Sequence, residues 1–556
     1  MLNLHLDYID EAFDERGVIS DVKLHCPDNY NFAFDVVDRI AAQEGNKIAM
    51  MWANDKGEEK RFSFADMKKY SDKAANYFLS LGIKKGDRVM LILKRHYQFW
   101  YALLGLHKIG AIAIPATNLL TAKDILYRFN LAGVSAILCT NEGDIFEHAD
   151  AAVLKYSGNV KKIMARGTSG SSIKSGWNDF DAGVESASGN LKRYETNKND
   201  LILLYFTSGT TGQPKMVVHD ETYSLGHIVT AKYWQNVDPD GLHLTFSETG
   251  WAKAVWGKIY GQWLMEAGIF VYDFDKFTPV DLLPLFEKYK VTTFCAPPTV
   301  FRFLIKEDLT RFDLSSLKYV AIAGEALNPE VYNQFLAATG IKLMEGFGQT
   351  ETTCVVMNPK GTTPKPGSMG KPNPQYDVDI VDENGKSVSP GTVGEIVIKT
   401  GKTKPIGLFC GYYRDEQLTK SVWHDGLYHT GDTAWKDEDG FFWYVGRIDD
   451  IIKSSGYRIG PFEIESVLME HPAVLECAIT GVPDPVRGQV VKATIVLTGG
   501  YDGTEELKKE LQSYVKKQTA PYKYPRVVEF VDELPKTISG KIQRNVIRRN
   551  DMQKQN

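Results

Sequence analysis

The chain has 556 residues, which is too long for one ordinary domain, and its 43% hydrophobic and 24% charged residues are typical of a globular protein. A net charge of −5 gives no indication of a nucleic-acid partner. The six cysteines are scattered without a CxxC pair, which argues against a zinc site or a disulfide framework.

The sequence also lacks the marks of a membrane or secreted protein. The most apolar stretch, Tyr101–Ile114, is interrupted by His107 and Lys108 and is too short for a membrane span. The first 17 residues are acidic and do not have the basic-then-apolar layout of a signal peptide. We therefore expect a cytoplasmic protein without a membrane span. The sequence leaves the oligomeric state open between monomer and homodimer.

Strand and helix patterns alternate through the first two thirds of the chain, which predicts βα units around a mostly parallel sheet. Helices are predicted at 67–81, 97–109, 281–290 and 299–305. Buried strands are predicted at 88–93, 136–140, 201–206, 268–272, 292–296 and 319–323. The fold class expected from this alternation is α/β.

The texture changes twice after residue 364. Prolines and short strands, such as 378–381 and 395–399, indicate a small β subdomain over about 364–448. An α+β pattern follows, with helices at 461–470 and 505–518 and strands at 476–481, 490–497 and 527–531. We therefore predict an N-terminal domain over 1–448 and a small C-terminal domain over 449–556.

The most informative motif follows the strand at 201–206. It consists of Thr207, Ser208, Gly209, Thr210, Thr211, Gly212, Gln213, Pro214 and Lys215. Glycines allow close backbone approach to a ligand, while hydroxyls, backbone N–H groups and a lysine suit phosphate oxygens. The run lacks the Gly-Lys-Ser/Thr ending of a Walker motif. A turn without a phosphate role is the alternative.

Two further motifs follow later strands. Gly324, Glu325 and Ala326 come after the strand at 319–322, where a glycine leaves room for a flat ring; a plain β-turn is the alternative. Glu345, Gly346, Phe347, Gly348, Gln349, Thr350 and Glu351 follow the strand predicted at 342–344. A carboxylate beside triphosphate oxygens suits Mg²⁺, so Glu351 is the candidate metal ligand. The alternative is a helix start capped by Thr350.

Charged residues near the C-terminal boundary complete the candidates. Asp432, after a glycine turn, could accept both hydroxyls of a ribose, and Arg447 could reach the same group. Lys541 follows Ser-Gly in a loop and could bring positive charge to a transition state. The alternatives are a capping aspartate and solvated surface charges.

Taken together, these motifs resemble the adenylate-forming superfamily, which includes acyl-CoA synthetases, luciferase and the adenylation domains of peptide synthetases. Seven motifs occur in the expected order: TSGTTGQPK, AGEAL, GFGQTE, YHTGD, GRIDD, SGYRIG and PKTISGK. The resemblance covers residues 30–545 and is greatest to medium-chain acyl-CoA synthetases. It implies an N-terminal domain of two α/β subdomains plus a small β-barrel, with a mobile C-terminal domain that begins at a hinge, Asp449.

The resemblance also implies a two-step reaction and a role for each motif. A carboxylate attacks the α-phosphate of ATP to give acyl-AMP and pyrophosphate, and CoA then takes the acyl group. Residues 207–215 would hold the β- and γ-phosphates, 324–326 and 345–348 the adenine, and Asp432 and Arg447 the ribose. Thr350 would contact phosphate, Glu351 would bind Mg²⁺, and Lys541 would bridge the carboxylate and the α-phosphate. CoA would be contacted by Ser455, Gly456, Tyr457, Arg458, Arg487, Lys516 and Tyr524.

The acyl pocket is expected to be lined by Trp251, Lys253, Trp256, Cys295 and Gly348. Acetyl-CoA synthetases carry a tryptophan where this chain has Gly348, so we expect the pocket to extend for a medium-chain, branched or aryl acid. Lys253 either extends its ammonium group to solvent or favours a polar or branched acid. An enzyme that loads a carrier protein, an acetyl- or propionyl-CoA synthetase, and a non-catalytic nucleotide-binding protein remain the alternatives.

Overall fold

The computed structural model describes residues 2–167, 171–207, 214–401, 403–536 and 541–555. Within these residues the chain forms two large, mostly parallel sheets, two smaller sheets and an N-terminal hairpin of Ile9–Phe13 with Ile19–Leu24. The expected α/β class, with a large N-terminal part and a small C-terminal part, is confirmed.

The first large sheet carries at its edge Thr207 and Lys215, the two ends of the predicted phosphate motif, 207–215. Its strands, in order across the sheet, are Lys215–Asp220, Leu201–Thr207, Ile112–Pro115, Arg88–Ile92, Ala136–Thr140, Lys161–Ala165 and Asn178–Asp179. All neighbours pair in parallel except Leu201–Thr207 and Lys215–Asp220, which form an antiparallel pair. Thr207 and Lys215, the two ends of the motif, are therefore neighbours on an antiparallel pair of strands at the edge of the sheet.

The second large sheet carries the two later motifs. Its strands, in order, are Lys371–Pro372, Cys354–Met357, Leu343–Gly348, Tyr319–Ile322, Val291–Ala296, Leu242–Thr245, Gly268–Asp273, Ile48–Asn54 and Glu59–Ser63. Tyr319–Ile322 and Leu343–Gly348 are parallel neighbours, so the segments that follow them emerge at one edge of the sheet.

A helical layer lies between these sheets. The helix Gln98–Lys108 is buried along its whole length and packs against Phe64–Ser80. The latter begins with a capping box in which Ser63 and Asp66 satisfy each other's backbone N–H groups. The remaining α-helices are Arg39–Glu44, Ala122–Ala132, Ile145–Lys155, Phe180–Ser186, Thr222–Leu225, His227–Val229, Ala252–Gly257, Tyr260–Leu264, Pro279–Tyr289, Pro298–Leu304, Pro329–Thr339 and Glu416–Val422, followed by those of the C-terminal part.

The β subdomain and the C-terminal part are built on the smaller sheets. The β subdomain pairs Asp377–Val381, Gly394–Lys399, Leu427–Lys436, Trp423–His424 and Phe442–Arg447. The C-terminal part pairs Tyr457–Ile459, Ile452–Ser454, Gly488–Leu497, Val474–Asp484 and Val527–Phe530, with helices Pro461–Met469, Glu505–Gln518 and Arg544–Gln555. A 3₁₀ turn, Ile448–Asp450, links the two.

Two alternatives that the sequence left open differ from the structure: a helix start at Thr350 and a capping role for Asp432. No helix starts at Thr350, because the chain turns there and re-enters the sheet at Cys354. Asp432 lies inside the strand Leu427–Lys436, and the preceding glycine, Gly431, has φ +69°. In the described part of the chain no helix is both long and apolar enough to cross a membrane.

Candidate active site

The phosphate motif is described only at its two ends. Thr207 and Lys215 are cross-strand partners, and of the seven residues between them Ser208–Gln213 lie outside the described residues. Pro214 leads into the second strand. The Lys215 ammonium lies 5.2 Å from the centre of the Tyr412 ring. The lysine is therefore held at the strand end by backbone pairing and an aromatic contact.

Glu351 lies close to that lysine. Its Oε1 accepts a hydrogen bond from the Tyr412 hydroxyl at 2.9 Å, so one tyrosine contacts both charged groups. Burial raises the pKa of Glu351, and the positive charges of Lys215 and Arg447 oppose that shift. The carbonyl of the neighbouring Thr350 lies 2.8 Å from His219 Nε2. Two of the three predicted catalytic residues, Thr350 and Glu351, are thus fixed by buried neighbours.

Asp432 and Arg447 are paired across two strands. They are register partners, and Arg447 Nη1 lies 3.4 Å from Asp432 Oδ2. Gln349 Nε2 donates to the same oxygen at 2.5 Å, and the Tyr444 hydroxyl donates to Oδ1 at 3.0 Å. Burial raises the pKa of Asp432, while the charge of Arg447 and the hydrogen bonds from Gln349 and Tyr444 lower it. The carboxylate is held in one orientation from three sides.

Tyr444 joins this carboxylate to two other parts of the site. Its ring centre is 6.4 Å from that of Phe347, in the adenine motif. On the other side it is 6.1 Å from Phe462, on the first helix of the C-terminal part. The sequence reasoning did not identify Tyr444 as a site residue, because its position between these groups follows from strand pairing and not from a motif.

The segments predicted to hold the adenine, 324–326 and 345–348, combine a permissive backbone at Gly324 with a buried side chain at Glu345. Gly324 has φ +118°, a conformation that disfavours side chains, and one residue, Ala323, separates it from the strand Tyr319–Ile322. Glu325 accepts a hydrogen bond from Thr299 Oγ1 at 3.1 Å. Ala326 completes the turn. The Glu345 side chain faces the core, where its Oε1 accepts from the Leu327 N–H at 3.2 Å.

The expected extension of the acyl pocket is occupied by Trp256. A Cβ added to Gly348 would lie 2.3 Å from Trp256 Cη2, so the indole fills the space that the glycine leaves. The indole N–H donates to the Tyr223 hydroxyl at 3.1 Å, which fixes the ring from behind. Gly346 is likewise covered by Trp234. The indole therefore lies in the direction in which Gly348 alone predicts that the pocket extends.

Lys253 does not extend to solvent. Its ammonium donates to the Ala323 carbonyl at 2.5 Å, beside Gly324. Burial lowers the pKa of Lys253, and the charge of Lys541 lowers it further. Cys295, at the end of a core strand, is 1% exposed, and Trp251 precedes the short helix Ala252–Gly257 that carries Lys253 and Trp256.

Lys541 lies close enough to two of these groups to affect their titration. Its charge lowers the pKa of Asp432 as well as that of Lys253. The C-terminal part packs tightly on the strand before it, because a Cβ on Gly460 would lie 2.4 Å from the Val445 carbonyl oxygen. The predicted hinge residue, Asp449, lies in the connecting 3₁₀ turn. In this arrangement Lys541 is near enough to Asp432 and Lys253 for its charge to act on both.

The predicted CoA-contacting residues form two groups in the C-terminal part. Ser455 and Gly456, with φ +50° and +83°, close a two-residue hairpin, and the Ser455 N–H donates to the Arg487 carbonyl at 3.0 Å. Arg458, in the same hairpin, lies 3.4 Å from Glu383 of the β subdomain. The ammonium of Lys516 lies 5.6 Å from the centre of the Tyr524 ring.

Sequence reasoning missed the tyrosines that support these charged residues. Tyr412 contacts Glu351, Tyr444 contacts Asp432, and the Tyr428 hydroxyl donates to Gln349 Oε1 at 2.7 Å. Tyr428 begins the YHTGD motif, so attention to the whole motif could have found it. Tyr412 is distant in sequence from its partner and gave no signal.

Comparison with known proteins covers both parts of the chain. The family described as AMP-binding enzyme matches residues 37–413, and the AMP-binding enzyme C-terminal domain matches residues 463–541. Acyl-coenzyme A synthetase ACSM3, mitochondrial, from Mus musculus is 41% identical over 96% of this chain and 92% of its own length. Acyl-coenzyme A synthetase ACSM4, mitochondrial, from Homo sapiens is 42% identical over 94% and 90%, respectively.

Solved structures are similar over the same extent. An acyl-CoA synthetase from Brucella canis has a TM-score of 0.71 and 32% identity, with 96% of each chain covered. The anthranilate CoA ligase AuaEII in complex with anthranoyl-AMP has a TM-score of 0.85 and 26% identity, with 95% of this chain and 99% of that chain covered.

These comparisons correct one expectation. The cytoplasmic location inferred from the N-terminal residues is contradicted, because the similar curated proteins from Mus musculus and Homo sapiens are named as mitochondrial. An acidic N-terminal stretch was too little information to assign a compartment.

Proposed function

The chain belongs to the AMP-binding enzyme family, and from this premise we propose that it is an AMP-forming acyl-CoA synthetase for a medium-chain, branched or aryl carboxylic acid. The observation that carries the proposal is the proximity of the charged motif residues: Tyr412 contacts both Lys215 and Glu351, Arg447 lies 3.4 Å from Asp432, and the charge of Lys541 lowers the pKa of Asp432. Chance assembly of these motif residues would not place their charges so close together.

In the first step, a carboxylate oxygen attacks the α-phosphorus of ATP, and the bond to the β-phosphate breaks. Asp432 and Glu351 have different roles in this step. Asp432, fixed by Gln349 and Tyr444, is oriented to accept the ribose hydroxyls. Lys541 stabilises the negative charge that builds on the transferring phosphoryl group, and Lys215 holds the departing pyrophosphate.

Glu351 fits a magnesium ligand. Mg²⁺ uses few protein carboxylates when phosphate oxygens and water supply the remaining positions. Among the described residues no group of three or more His, Cys, Asp or Glu could hold a metal, which suits an ion shared with ATP better than a resident metal centre. When bound, Mg²⁺ would neutralise charge on the phosphates. Tyr412 and Lys215 would keep the Glu351 carboxylate directed toward it.

In the second step, the thiol sulfur of CoA attacks the acyl carbonyl, the bond to AMP breaks, and the thiol proton is released. We propose that the C-terminal domain, 449–556, then turns about Asp449. That motion replaces Lys541 with the Ser455–Gly456 hairpin at the site. The Arg458–Glu383 contact and the tight Gly460–Val445 packing belong to the adenylating arrangement and must break.

Trp256 narrows the choice of acid. Since its ring fills the space beside Gly348, the pocket has little length in that direction. Of the acids that the sequence left open, this favours a compact branched acid over a long straight chain. Lys253 lies at the Ala323 carbonyl, toward the adenine motif, and so does not supply a polar end to the pocket.

A panel of acids tests the proposal. AMP release that depends on ATP, CoA and acid would be measured for acetate, propionate, butyrate, 2-methylbutyrate, octanoate and benzoate. We expect the highest kcat/KM with the branched acid. Acetate preferred by a large factor would contradict the pocket assignment, and turnover only with a phosphopantetheinylated carrier protein would favour the carrier-loading alternative.

A further inference from the structure

The hairpin that carries Ser455 and Gly456 is attached weakly to its sheet. Its strands, Ile452–Ser454 and Tyr457–Ile459, have three residues each. The pairing with the neighbouring strand consists of one residue pair, Ser454 with Gly488. A hairpin this short is marginal by itself, so the position of its tip depends on further contacts.

One such contact is an aromatic stack. The rings of Tyr457 and Tyr522 lie 4.0 Å apart with an interplanar angle of 12°, although the two residues are 49% and 39% exposed. Tyr457 is the residue directly after Gly456, so the stack acts at the tip of the hairpin. Stacked aromatic pairs add stabilisation beyond the area that they bury.

The loop that carries Tyr522 is itself anchored. Lys523 Nζ lies 2.5 Å from Glu463 Oε2, on the helix Pro461–Met469, and the Lys523 N–H donates to the Ala520 carbonyl at 2.9 Å. The next residue, Tyr524, stands beside Lys516. On the opposite side the hairpin tip is held by the hydrogen bond from Ser455 to Arg487.

We propose that Tyr522 is a positioning residue for thioester formation. It acts through Tyr457 and keeps Gly456 at a fixed distance from the loop that carries Tyr524. This inference rests on the proposed function, because it concerns the half-reaction in which the hairpin replaces Lys541 at the site. The stack lies wholly within the C-terminal part and therefore survives the rotation, so it orders the hairpin before CoA arrives.

The test separates the two half-reactions of Tyr522→Ala. Pyrophosphate release without CoA should stay within about twofold of the wild type, whereas single-turnover transfer from bound acyl-AMP at saturating CoA should fall about tenfold. Tyr522→Phe keeps the ring and should restore the transfer rate. Tyr501→Ala removes a tyrosine of similar exposure, 44%, from the same part of the chain and should leave both rates unchanged.

Three results would overturn the inference: a transfer rate within twofold of the wild type, equal loss in both half-reactions, or a change in the KM for CoA alone. The last would mean that Tyr522 contacts CoA directly. If the wild type forms no acyl-CoA with any acid, the proposed function fails instead, which keeps the two failures distinct.

Discussion

Replacing Trp256 by alanine should shift the acid preference toward longer chains. The indole occupies the space beside Gly348, and its removal opens that space to substrate. Each methylene group that enters a vacated apolar space contributes about 0.8 kcal/mol, or about fourfold in kcat/KM. Three added methylenes therefore correspond to about sixtyfold, so octanoate should gain by a factor of this order relative to 2-methylbutyrate.

The assay compares kcat/KM for the two acids in the wild type and in the variant, with AMP release as the readout. Loss of a buried tryptophan costs about 3–5 kcal/mol of stability, and here it also leaves the Tyr223 hydroxyl without its indole partner. Thermal unfolding must therefore be measured alongside, and Trp256→Leu gives a milder second variant. Trp177→Ala, which removes a buried indole at the far edge of the first sheet, is the control.

If a folded Trp256→Ala enzyme kept the wild-type ratio of kcat/KM for the two acids, Trp256 would not limit the pocket. An equal shift of this ratio in Trp177→Ala would also contradict the role of Trp256, because the change would then reflect a general effect of losing a buried tryptophan. A drop in activity with every acid at an unchanged ratio would show that Trp256 supports the fold and does not limit the pocket.

Three further predictions concern other parts of the site. Tyr444→Phe removes one hydrogen bond to Asp432 and should raise the KM for ATP about tenfold. The increase in KM should be smaller for 2′-deoxy-ATP, and an equal increase for both nucleotides would contradict the ribose role. Lys541→Ala should abolish acyl-AMP formation but largely spare thioester formation from supplied acyl-AMP, and equal loss in both steps would contradict that division. Burial lowers the pKa of His219 and of His243 to about 3, so below pH 6.5 the unfolded state binds more protons than the folded state. The free energy of unfolding should therefore decrease as the pH is lowered, by about 1.4 kcal/mol per histidine at pH 5.5. Urea denaturation at pH 7.5 and at pH 5.5 checks the sign.

Much of the fold could be predicted because its signals are local. The strand Ala136–Thr140 and the helix Glu505–Gln518 have the bounds that their sequence patterns predict, since continuous apolar runs and capped amphipathic segments are read directly from the chain. The motifs also indicate Asp432 and Arg447 as site residues, although they do not indicate that the two residues are paired. What could not be predicted is lateral contact: which tyrosine supports which carboxylate depends on strand register.

The acyl pocket illustrates the same limit. Gly348 correctly indicates that no tryptophan side chain projects from the strand Leu343–Gly348 at this position. The space beside it is filled by Trp256, which lies on a helix more than 90 residues earlier in the chain. A sequence pattern reports which side chain is absent at a position. It does not report which side chain enters from elsewhere.

Tyr444 contacts Asp432, the carboxylate that we propose to bind the ribose, on one side and Phe462 of the C-terminal part on the other. Nucleotide affinity and domain placement are therefore thermodynamically linked, and the linkage is reciprocal. A bound nucleotide that steadies Asp432 favours the adenylating arrangement, and a domain that turns away withdraws support from the same carboxylate. The rotation that admits CoA would thus also weaken the hold on AMP, so that one movement serves both thioester formation and product release.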